Sequence, residues 1–177
     1  PEDGGRFVTL PLVISRDPKT GAGNMGMYRM QVYDQRTTGM HMQLQKGGGF
    51  HYQIAEKAGQ PLEMAVAVGG DPSLIIAAIM PLPEGLDEVA FSGIVRGSRT
   101  PLVRAKTVDL DVPAHAEFIF EGILRPGIRK QEGPFGDHFG HYSASADHPV
   151  FEINRITRRK NAIYPATVVG RPPQEDR

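Results

Sequence analysis

The sequence contains no cysteine. This absence excludes disulfide cross-links, a thiolate nucleophile and any metal site with cysteine ligands, and it fits a cytosolic protein. The charge is balanced as well, with 20 basic and 20 acidic residues. A chain without net charge has no long-range field that would attract nucleic acid or an anionic membrane. We therefore expect a cytoplasmic protein that binds no nucleic acid.

Long apolar runs are also missing. The longest candidate, Leu74 to Met80, is too short to span a bilayer and lies between Pro72 and Pro81. No P-loop pattern is present, so a bound phosphate has to be held in another way. The hydrophobic content of 40% is nevertheless sufficient for a real core in one domain of ordinary size.

Most of the sequence predicts short strands joined by turns rich in glycine and proline. The strand segments are rich in β-branched or aromatic residues, alternate in polarity or form apolar runs. They are Arg6–Ser15, Met30–Asp34, Met40–Lys46, Met64–Val68, Pro101–Val108, Phe118–Leu124, Val150–Thr157 and Ala162–Val169. Short helices are predicted over Phe50–Gly59, Ser73–Met80 and Asp87–Ile94. This pattern favours an α+β domain built on an antiparallel barrel or sandwich.

The segment Met40–Lys46 alternates apolar and polar residues, which is typical of a half-buried strand with its polar groups on one face. The glycines Gly47–Gly49 follow and are expected to break the strand. Gln43, Gln45 and Lys46 therefore place amide groups and a cation beside an open backbone, which suits a phosphate or the edge of a flavin ring. An exposed strand face that ends in a flexible loop explains the same residues.

The segment from Glu132 to Asp137 carries two carboxylates five residues apart. That spacing is neither a helical repeat nor an even strand step, so regular structure does not bring the two acids together. The glycines and the proline between them predict a sharply bent loop. Two histidines and a tyrosine follow by position 142. The pattern fits an acid–base site, and it also fits a turn that carries solvated acids.

Three further side chains are candidates for binding. Arg29 is a permanent cation whose forked donors suit a carboxylate or a phosphate, and Asn24 precedes it in a glycine-rich bend. Glu88 opens a mostly apolar run, which favours partial burial with a partner. Surface and turn positions would explain each of them equally well. The histidines, His41 and His148 among them, are scattered, so their spacing gives little support for a histidine-based metal site.

Five segments, taken in order along the chain, carry a resemblance to a known family. They are PEDGGRFVTLP at 1–11, NMGMYR at 24–29, FSGIVRG at 91–97, VPAHAE at 112–117 and EGPFGDH at 132–138. As a set they closely resemble the UbiD family of decarboxylases. The resemblance implies non-oxidative, reversible decarboxylation of an aromatic or α,β-unsaturated acid with prenylated FMN as cofactor.

The resemblance also implies an architecture. Residues 1–177 would form a central cofactor-binding domain, an antiparallel split β-barrel of the FMN-binding type with a few short helices. The polar ends of the sequence suggest a piece of a longer decarboxylase, whose amino-terminal α/β region and carboxy-terminal oligomerisation region would lie outside it.

A divalent metal is implied next, usually manganese and often with potassium nearby, which ties the cofactor phosphate to the protein. Asn24 and Glu88 match two metal ligands of the family. Gln45 falls where the family commonly has a histidine ligand. A glutamine oxygen can bind a hard cation, although less strongly than imidazole binds a transition metal.

The remaining site residues implied by the resemblance contact the cofactor or the substrate. The cofactor-contacting positions are matched by Met27, Tyr28, Arg29, His41, Met42, Gln43, Lys46 and Gly47. Met42 stands where a tryptophan is usual, so the packing of the flavin ring is expected to differ. Arg29, Glu132 and Asp137 match the catalytic Glu-Arg-Glu network, with Asp replacing the last Glu as in many members. Asp137 is expected to donate the proton, and Glu132 to work with Arg29.

The expected substrate is a small aromatic acid. A 4-hydroxy-3-polyprenylbenzoate of ubiquinone synthesis and a dihydroxynaphthoate of menaquinone synthesis are both reasonable. A flavin prenyltransferase would supply the cofactor. The parent enzyme is expected to be a homo-oligomer in the cytoplasm or at the periphery of the inner membrane. The alternative is a non-catalytic flavin-binding or scaffolding module.

Overall fold

The computed structural model describes residues 2–43, 47–83, 85–168 and 173. Within these ranges the chain forms ten strands, of which β9 and β10 are long, and three short helices. In chain order the elements are β1 (Phe7–Val8), β2 (Pro11–Arg16), β3 (Gly23–Met27), β4 (Met30–Gln31), β5 (Thr37–Gly39), α1 (Gly47–Lys57), β6 (Leu62–Val68), α2 (Pro72–Ile79), α3 (Glu88–Arg96), β7 (Leu102–Arg104), β8 (Asp111–Pro113), β9 (Phe118–Glu132) and β10 (Ala146–Arg158). The predicted α+β class is confirmed.

The main sheet has six strands in the order β3-β2-β6-β9-β10-β5, and every neighbouring pair is antiparallel. Two small ribbons, β1-β4 and β7-β8, accompany it. The edge strands β3 and β5 do not pair with each other in the described part of the chain, so the main sheet is not closed into a barrel. None of the helices in those residues has the length and apolar character that a bilayer crossing requires.

The main sheet is covered on both faces, which explains the continuous apolar run of its central strand β6. Val13 and Val66 point to the face where Tyr52 and Ala55 of α1 pack. Their neighbours on the strands point to the opposite face, which is covered by Leu74 and Ala77 of α2 together with Leu110. The period of two along the strands therefore divides the core into two layers.

The predicted strand Met40–Lys46 is wrong for residues 40–43, and its last three residues lie outside the described ranges. Met40 and Met42 are buried and Gln43 is exposed, as the alternation predicted. Their N–H groups, however, do not join a ladder. The Met40 N–H donates to the Pro149 carbonyl, and the Met42 N–H donates to the carbonyl of Met40 itself. The segment makes only this one bond to β10 and then turns away from it, so the alternation reflects burial and not strand pairing.

The last predicted strand is also wrong, because residues 162–168 form no strand and Val169 lies outside the described ranges. The Ile163 N–H donates to Glu117 rather than to a ladder. Three strands were not predicted, and these are β5, β8 and β3, which replaces the glycine-rich bend expected around Asn24. The remaining differences concern length. The first predicted strand is interrupted between β1 and β2, β7 is shorter than predicted, and β9 continues through Pro126 to Glu132.

The glycines Gly21, Gly23 and Gly26 have the spacing of a dinucleotide-binding loop. That motif acts at a turn from a strand into a helix, whose N-terminus holds the pyrophosphate. Here Gly23 and Gly26 lie within β3, which pairs with β2 as an antiparallel hairpin. The spacing therefore does not form a dinucleotide site in this fold.

Candidate active site

The centre of the candidate site is an ion pair between Arg29 and Glu132. Arg29 lies between β3 and β4, and Glu132 is the last residue of β9. Arg29 Nε and Nη2 both donate to Glu132 Oε1, at 3.1 and 2.9 Å. The Glu132 side chain is only 1% exposed. A carboxylate at this depth requires such a partner, because burying an unpaired charge costs several kcal/mol.

His41 is the second partner of the same carboxylate oxygen, with its Nδ1 3.1 Å from Glu132 Oε1. Burial raises the pKa of Glu132, but the hydrogen bonds and charges of His41 and Arg29 outweigh burial and lower it. Glu132 is therefore ionised at neutral pH. Its second oxygen, Oε2, is buried and has no hydrogen-bond partner among the described residues.

Two residues of the loop after β9 orient Arg29. The guanidinium carbon lies 4.5 Å from the centre of the Phe135 ring, in a cation–π contact. Arg29 Nη2 also donates to Ser143 Oγ, and the same hydroxyl accepts the Phe135 N–H. Phe135 in turn packs edge-on against Phe7 of β1. The arginine is thus fixed in orientation on several sides.

An open cavity of about 710 Å³ lies at this ion pair. Five of the residues expected to contact the cofactor line it, and these are Met27, Tyr28, Arg29, His41 and Gln43. Phe135 and His138 lie on its wall as well. The volume is within the range of cofactor and ligand pockets. The structure therefore brings most of this predicted group to one cavity, although their contact with a cofactor stays a prediction.

Met42 and Gly47, which were expected at the same site, lie next to that cavity wall. Met42 is buried in the core layer that contains Tyr28. Gly47 begins α1, three residues before the predicted helix start at Phe50. A side chain at Gly47 would collide with Asn24 Oδ1, and one at Gly48 would press on the Tyr28 ring. These glycines permit close packing and belong to α1, which corrects the expectation of an open backbone before a helix that starts at Phe50.

The hydroxyl of Tyr28 ties these elements together. It accepts the N–H of Gly48 at 3.2 Å, and Asn24 Nδ2 lies 3.5 Å away in donor position. One of the free N–H groups in the first turn of α1 is thereby satisfied. Burial raises the pKa of Tyr28, so the hydroxyl stays neutral. Lys46 and Gln45, expected at the cofactor and the metal, lie outside the described residues.

The two other expected metal ligands, Asn24 and Glu88, line a second cavity of about 900 Å³. Asn24 lies in β3, and Glu88 is the first residue of α3, directly after its N-cap Asp87. Glu88 Oε2 accepts the N–H of Met25 at 3.1 Å. This bond holds the carboxylate beside β3, and it leaves Oε1 for a cation. The pair offers hard oxygen donors, which suit manganese, magnesium or potassium.

Asp137 is placed differently from its expected partners. Its Oδ1 accepts the N–H groups of Phe139 and His141, at 2.9 and 3.2 Å, in a turn of its own loop. The bond from His141 and then that from Phe139 lower the pKa of Asp137. The bent loop was predicted to begin at Glu132, but Glu132 ends a strand and only Asp137 lies in the loop.

His148 also lies beside the site, although no local pattern in the sequence indicates it. It is in β10, and its ring centre is 4.2 Å from that of His41. Burial and the neighbouring His41 lower the pKa of His148. In the pairing of β10 with β9, Ala146 lies opposite Glu132. His148 is two residues further along β10, on the same face of the sheet, and is therefore next to Glu132. His41 and His148 are 107 positions apart in the sequence, so only the pairing of the strands shows that they are neighbours.

Comparison with known families gives a match over most of the chain. The UbiD family, described as the Rift-related domain of 3-octaprenyl-4-hydroxybenzoate carboxy-lyase, matches residues 1–172. A protein of Chlamydia pneumoniae, named as one of the subunits of a 4-hydroxybenzoate decarboxylase, is 49% identical over 178 residues. That alignment covers 99% of this chain and 30% of the relative.

Two solved structures have closely similar folds. The UbiD-class enzyme HmfF from Pelotomaculum thermopropionicum, in an evolved dimeric form in complex with prFMN, has a TM-score of 0.89 and 35% identity, covering 93% of this chain and 38% of that one. The closed form of the vanillic acid decarboxylase of Sedimentibacter hydroxybenzoicus has a TM-score of 0.92 and 31% identity, covering 96% and 37%. The chain therefore spans 30% to 38% of the length of the relatives it matches.

Proposed function

This chain belongs to the UbiD family, and on that basis we propose that it is the cofactor domain of a carboxy-lyase. The reaction is the reversible decarboxylation of an aromatic or α,β-unsaturated acid without net oxidation or reduction. The observation that supports it most is the buried Arg29–Glu132 pair at the edge of a cofactor-sized cavity. The two similar enzymes named above act as a vanillic acid decarboxylase and as a prFMN-binding UbiD-class enzyme.

We propose prenylated FMN as the cofactor of this cavity. The fit rests on Met27, Tyr28, His41 and Gln43, which combine apolar surface with polar groups along one wall. When bound, the cofactor supplies an electron sink for the carbon that loses carbon dioxide. A flavin prenyltransferase is the class of enzyme that would provide it.

Asn24 and Glu88 are the proposed metal-holding residues. Their amide and carboxylate oxygens line one cavity and suit Mn²⁺, with K⁺ as a second ion. Such a cation would neutralise the phosphate of the cofactor. Gln45 is the proposed third ligand.

Arg29 is the residue proposed to orient the substrate carboxylate. Its bonds to Glu132 and Ser143 use Nε and Nη2, so Nη1 is available for a carboxylate oxygen. The cation–π contact with Phe135 fixes the plane of the guanidinium. A preorganised cation of this kind stabilises charge in the transition state without rearranging.

Asp137 is the proposed proton donor, and Glu132 the acid that holds Arg29. Both carboxylates have lowered pKa values in this structure, so both are ionised at neutral pH. The N–H groups of Phe139 and His141 stabilise the ionised form of Asp137, so these bonds have to weaken before the carboxylate carries a proton at neutral pH. We propose that the loop rearranges in this way when the substrate is bound, because exclusion of water raises the pKa of a carboxylate.

A polyprenylated 4-hydroxybenzoate or a dihydroxynaphthoate is the proposed substrate type. The same proposal places the chain as a split-barrel domain inside a longer, homo-oligomeric enzyme of the cytoplasm or of the inner membrane surface. The support is that the chain covers 30% to 38% of the relatives described above. That short coverage also favours one alternative, a flavin-binding module without turnover of its own.

Mass spectrometry of the cofactor bound to the intact protein, followed by a panel of aromatic acids, tests the proposal. We expect prenylated FMN and release of carbon dioxide from at least one acid. The variant Asp137→Asn should keep the cofactor and lose most of the decarboxylation, whereas His115→Gln, an exposed position away from the cavity, should keep both. Bound flavin without turnover in any intact form would favour the binding module, and normal turnover in Asp137→Asn would exclude its role as proton donor.

A further inference from the structure

Three side chains with metal-binding chemistry converge beside the candidate site, on a segment and two strands far apart in the sequence. They are His41, which follows β5, Glu132 at the end of β9 and His148 in β10. One nitrogen of each histidine and one carboxylate oxygen all lie within 4.8 Å of one another. None of these positions belongs to the proposed manganese pair, Asn24 and Glu88.

Glu132 Oε2 is the observation that distinguishes this cluster from ordinary packing. It is buried and has no hydrogen-bond partner among the described residues, while Oε1 takes the bonds from Arg29 and His41. Buried carboxylate oxygens are nearly always satisfied, since leaving one without a partner costs about 1–3 kcal/mol. A cation bound at Oε2 would satisfy it without breaking the bonds of Arg29 to Oε1.

Two imidazoles and one carboxylate form the ligand set that catalytic zinc sites use, and zinc takes such ligands in tetrahedral geometry. Ligand atoms around a tetrahedral zinc ion lie roughly 3.4 Å apart. The present distances of up to 4.8 Å need only small side-chain rotations to reach that value. His41 also lines the 710 Å³ cavity, which offers the ion a path from solvent and space for a water as fourth ligand.

We propose that His41, Glu132 and His148 form a second metal site, which takes Zn²⁺ or a similar transition-metal ion. The site is separate from the oxygen-rich pair Asn24 and Glu88, because its nitrogen ligands favour a softer ion. Metal at this site holds Glu132 and places two positive charges close to Arg29. If the proposed decarboxylation is correct, zinc therefore inhibits it, because the ion draws the negative charge of Glu132 away from Arg29 while the bonds to Oε1 remain.

Cobalt titration of the intact protein, freed of flavin and metal, tests the site without any assay of activity. The visible absorption of Co²⁺ is intense in four-coordinate sites and disappears when Zn²⁺ displaces the ion. We expect one such ion in the wild-type protein. His41→Gln and His148→Gln should each weaken it by about tenfold or more. These variants lie on different segments, so misfolding of one still leaves the other as a test.

Matched controls are His115→Gln, an exposed histidine, and Glu88→Ala, which removes the proposed manganese ligand. Both should give the four-coordinate cobalt spectrum of the wild type at the same cobalt concentration. Absence of the four-coordinate spectrum in the wild-type protein overturns the proposal. It is equally overturned if Glu88→Ala abolishes the spectrum while His148→Gln, with an unchanged melting temperature, keeps it.

The effect on turnover is measured separately, by zinc inhibition of the flavin-loaded enzyme. We expect His148→Gln to need about tenfold more zinc than the wild type for half inhibition. Equal zinc sensitivity would exclude the regulatory consequence. If no form of the protein decarboxylates any acid, the proposed function fails, but the cobalt titration still decides whether the metal site exists.

Discussion

Arg29 Nη2 lies 2.9 Å from Glu132 Oε1, although the two residues are 103 positions apart in the sequence. The segment between β3 and β4 supplies the cation, and the end of β9 supplies the carboxylate. Because Glu132 is almost fully buried, neither residue can be changed without leaving the other in an unfavourable environment.

Arg29→Lys keeps the positive charge and removes the forked donor set. We expect the free energy of unfolding to fall by about 1–3 kcal/mol, because two hydrogen bonds to a buried carboxylate are replaced by one at best. Decarboxylation should fall with it. Urea denaturation and turnover of the intact enzyme measure the two effects. Ser143→Ala removes the 3.3 Å bond from Arg29 and the bond from the Phe135 N–H but leaves both bonds to Glu132, so this matched control should have a smaller effect on both. A lysine variant that equals the wild type would show that the fork is unimportant.

Tyr28→Phe removes the hydroxyl that accepts the Gly48 N–H and contacts Asn24. We expect a loss of about 1 kcal/mol in the free energy of unfolding, since a buried N–H at the start of α1 is left without its partner. Affinity for the cofactor should also fall, because Asn24, a proposed ligand of the metal at the cofactor phosphate, loses its contact with the Tyr28 hydroxyl. Tyr33→Phe, whose hydroxyl bonds to an exposed strand, is the control. Unchanged thermal unfolding would mean that water replaces the hydroxyl at no cost.

Glu88→Ala should release both metal and flavin from the intact enzyme. The reason is that the carboxylate held by the Met25 N–H is one of the two proposed metal ligands among the described residues. Metal analysis and the flavin absorption of the purified protein measure the loss. Asp111→Asn, an exposed position on the wall of the same cavity, is the control and should retain both. Retention of wild-type metal and flavin by Glu88→Ala would remove Glu88 from the metal site.

The buried pair of Ser15 and His51 makes stability depend on pH. Ser15 Oγ lies 2.9 Å from His51 Nδ1, and burial lowers the pKa of His51 below its ordinary value of 6.5 despite the charge of Asp17. Below pH 6.5 the unfolded chain therefore binds a proton more readily than the folded one. The free energy of unfolding should be highest above that pH and decline as the pH falls toward the folded-state pKa.

Urea denaturation at several pH values between about 5 and 8 measures this dependence. His148 has a lowered pKa as well and contributes in the same direction. His51→Gln isolates the contribution of His51, because it should flatten the curve relative to the wild type while leaving the part due to His148. Identical pH dependence in both proteins would contradict a neutral, buried His51.

The sequence predicted the class of the fold and the burial of many residues, but not the contacts between distant segments. The apolar run of β6 and the alternation of Met40 and Met42 report burial, which is a local property of each residue. Whether a segment pairs as a strand is not local. After the one bond from the Met40 N–H to the Pro149 carbonyl of β10, the Met42 N–H turns back to the carbonyl of Met40. For that reason two predicted strands are absent from the described residues, although their buried positions were partly correct.

The candidate site was predicted by resemblance rather than by spacing. No local sequence pattern links Arg29 to Glu132, because their pairing depends on the order of the strands in the sheet. His148 was missed for the same reason, because only the pairing of β9 with β10 brings it to Glu132. At Gly47 the local pattern was misleading. The glycine suggested an end of regular structure, but it is required because Asn24 approaches its backbone too closely for a side chain.

The most direct test of the proposed active site is the rate at which carbon dioxide is released by the flavin-loaded intact enzyme carrying Glu132→Gln. This change keeps the shape of the side chain and removes the charge that holds Arg29. We predict a protein that still binds the cofactor but decarboxylates about 10²-fold more slowly or worse. Wild-type turnover in Glu132→Gln, with the same cofactor content, would contradict the role of the Arg29–Glu132 pair in decarboxylation.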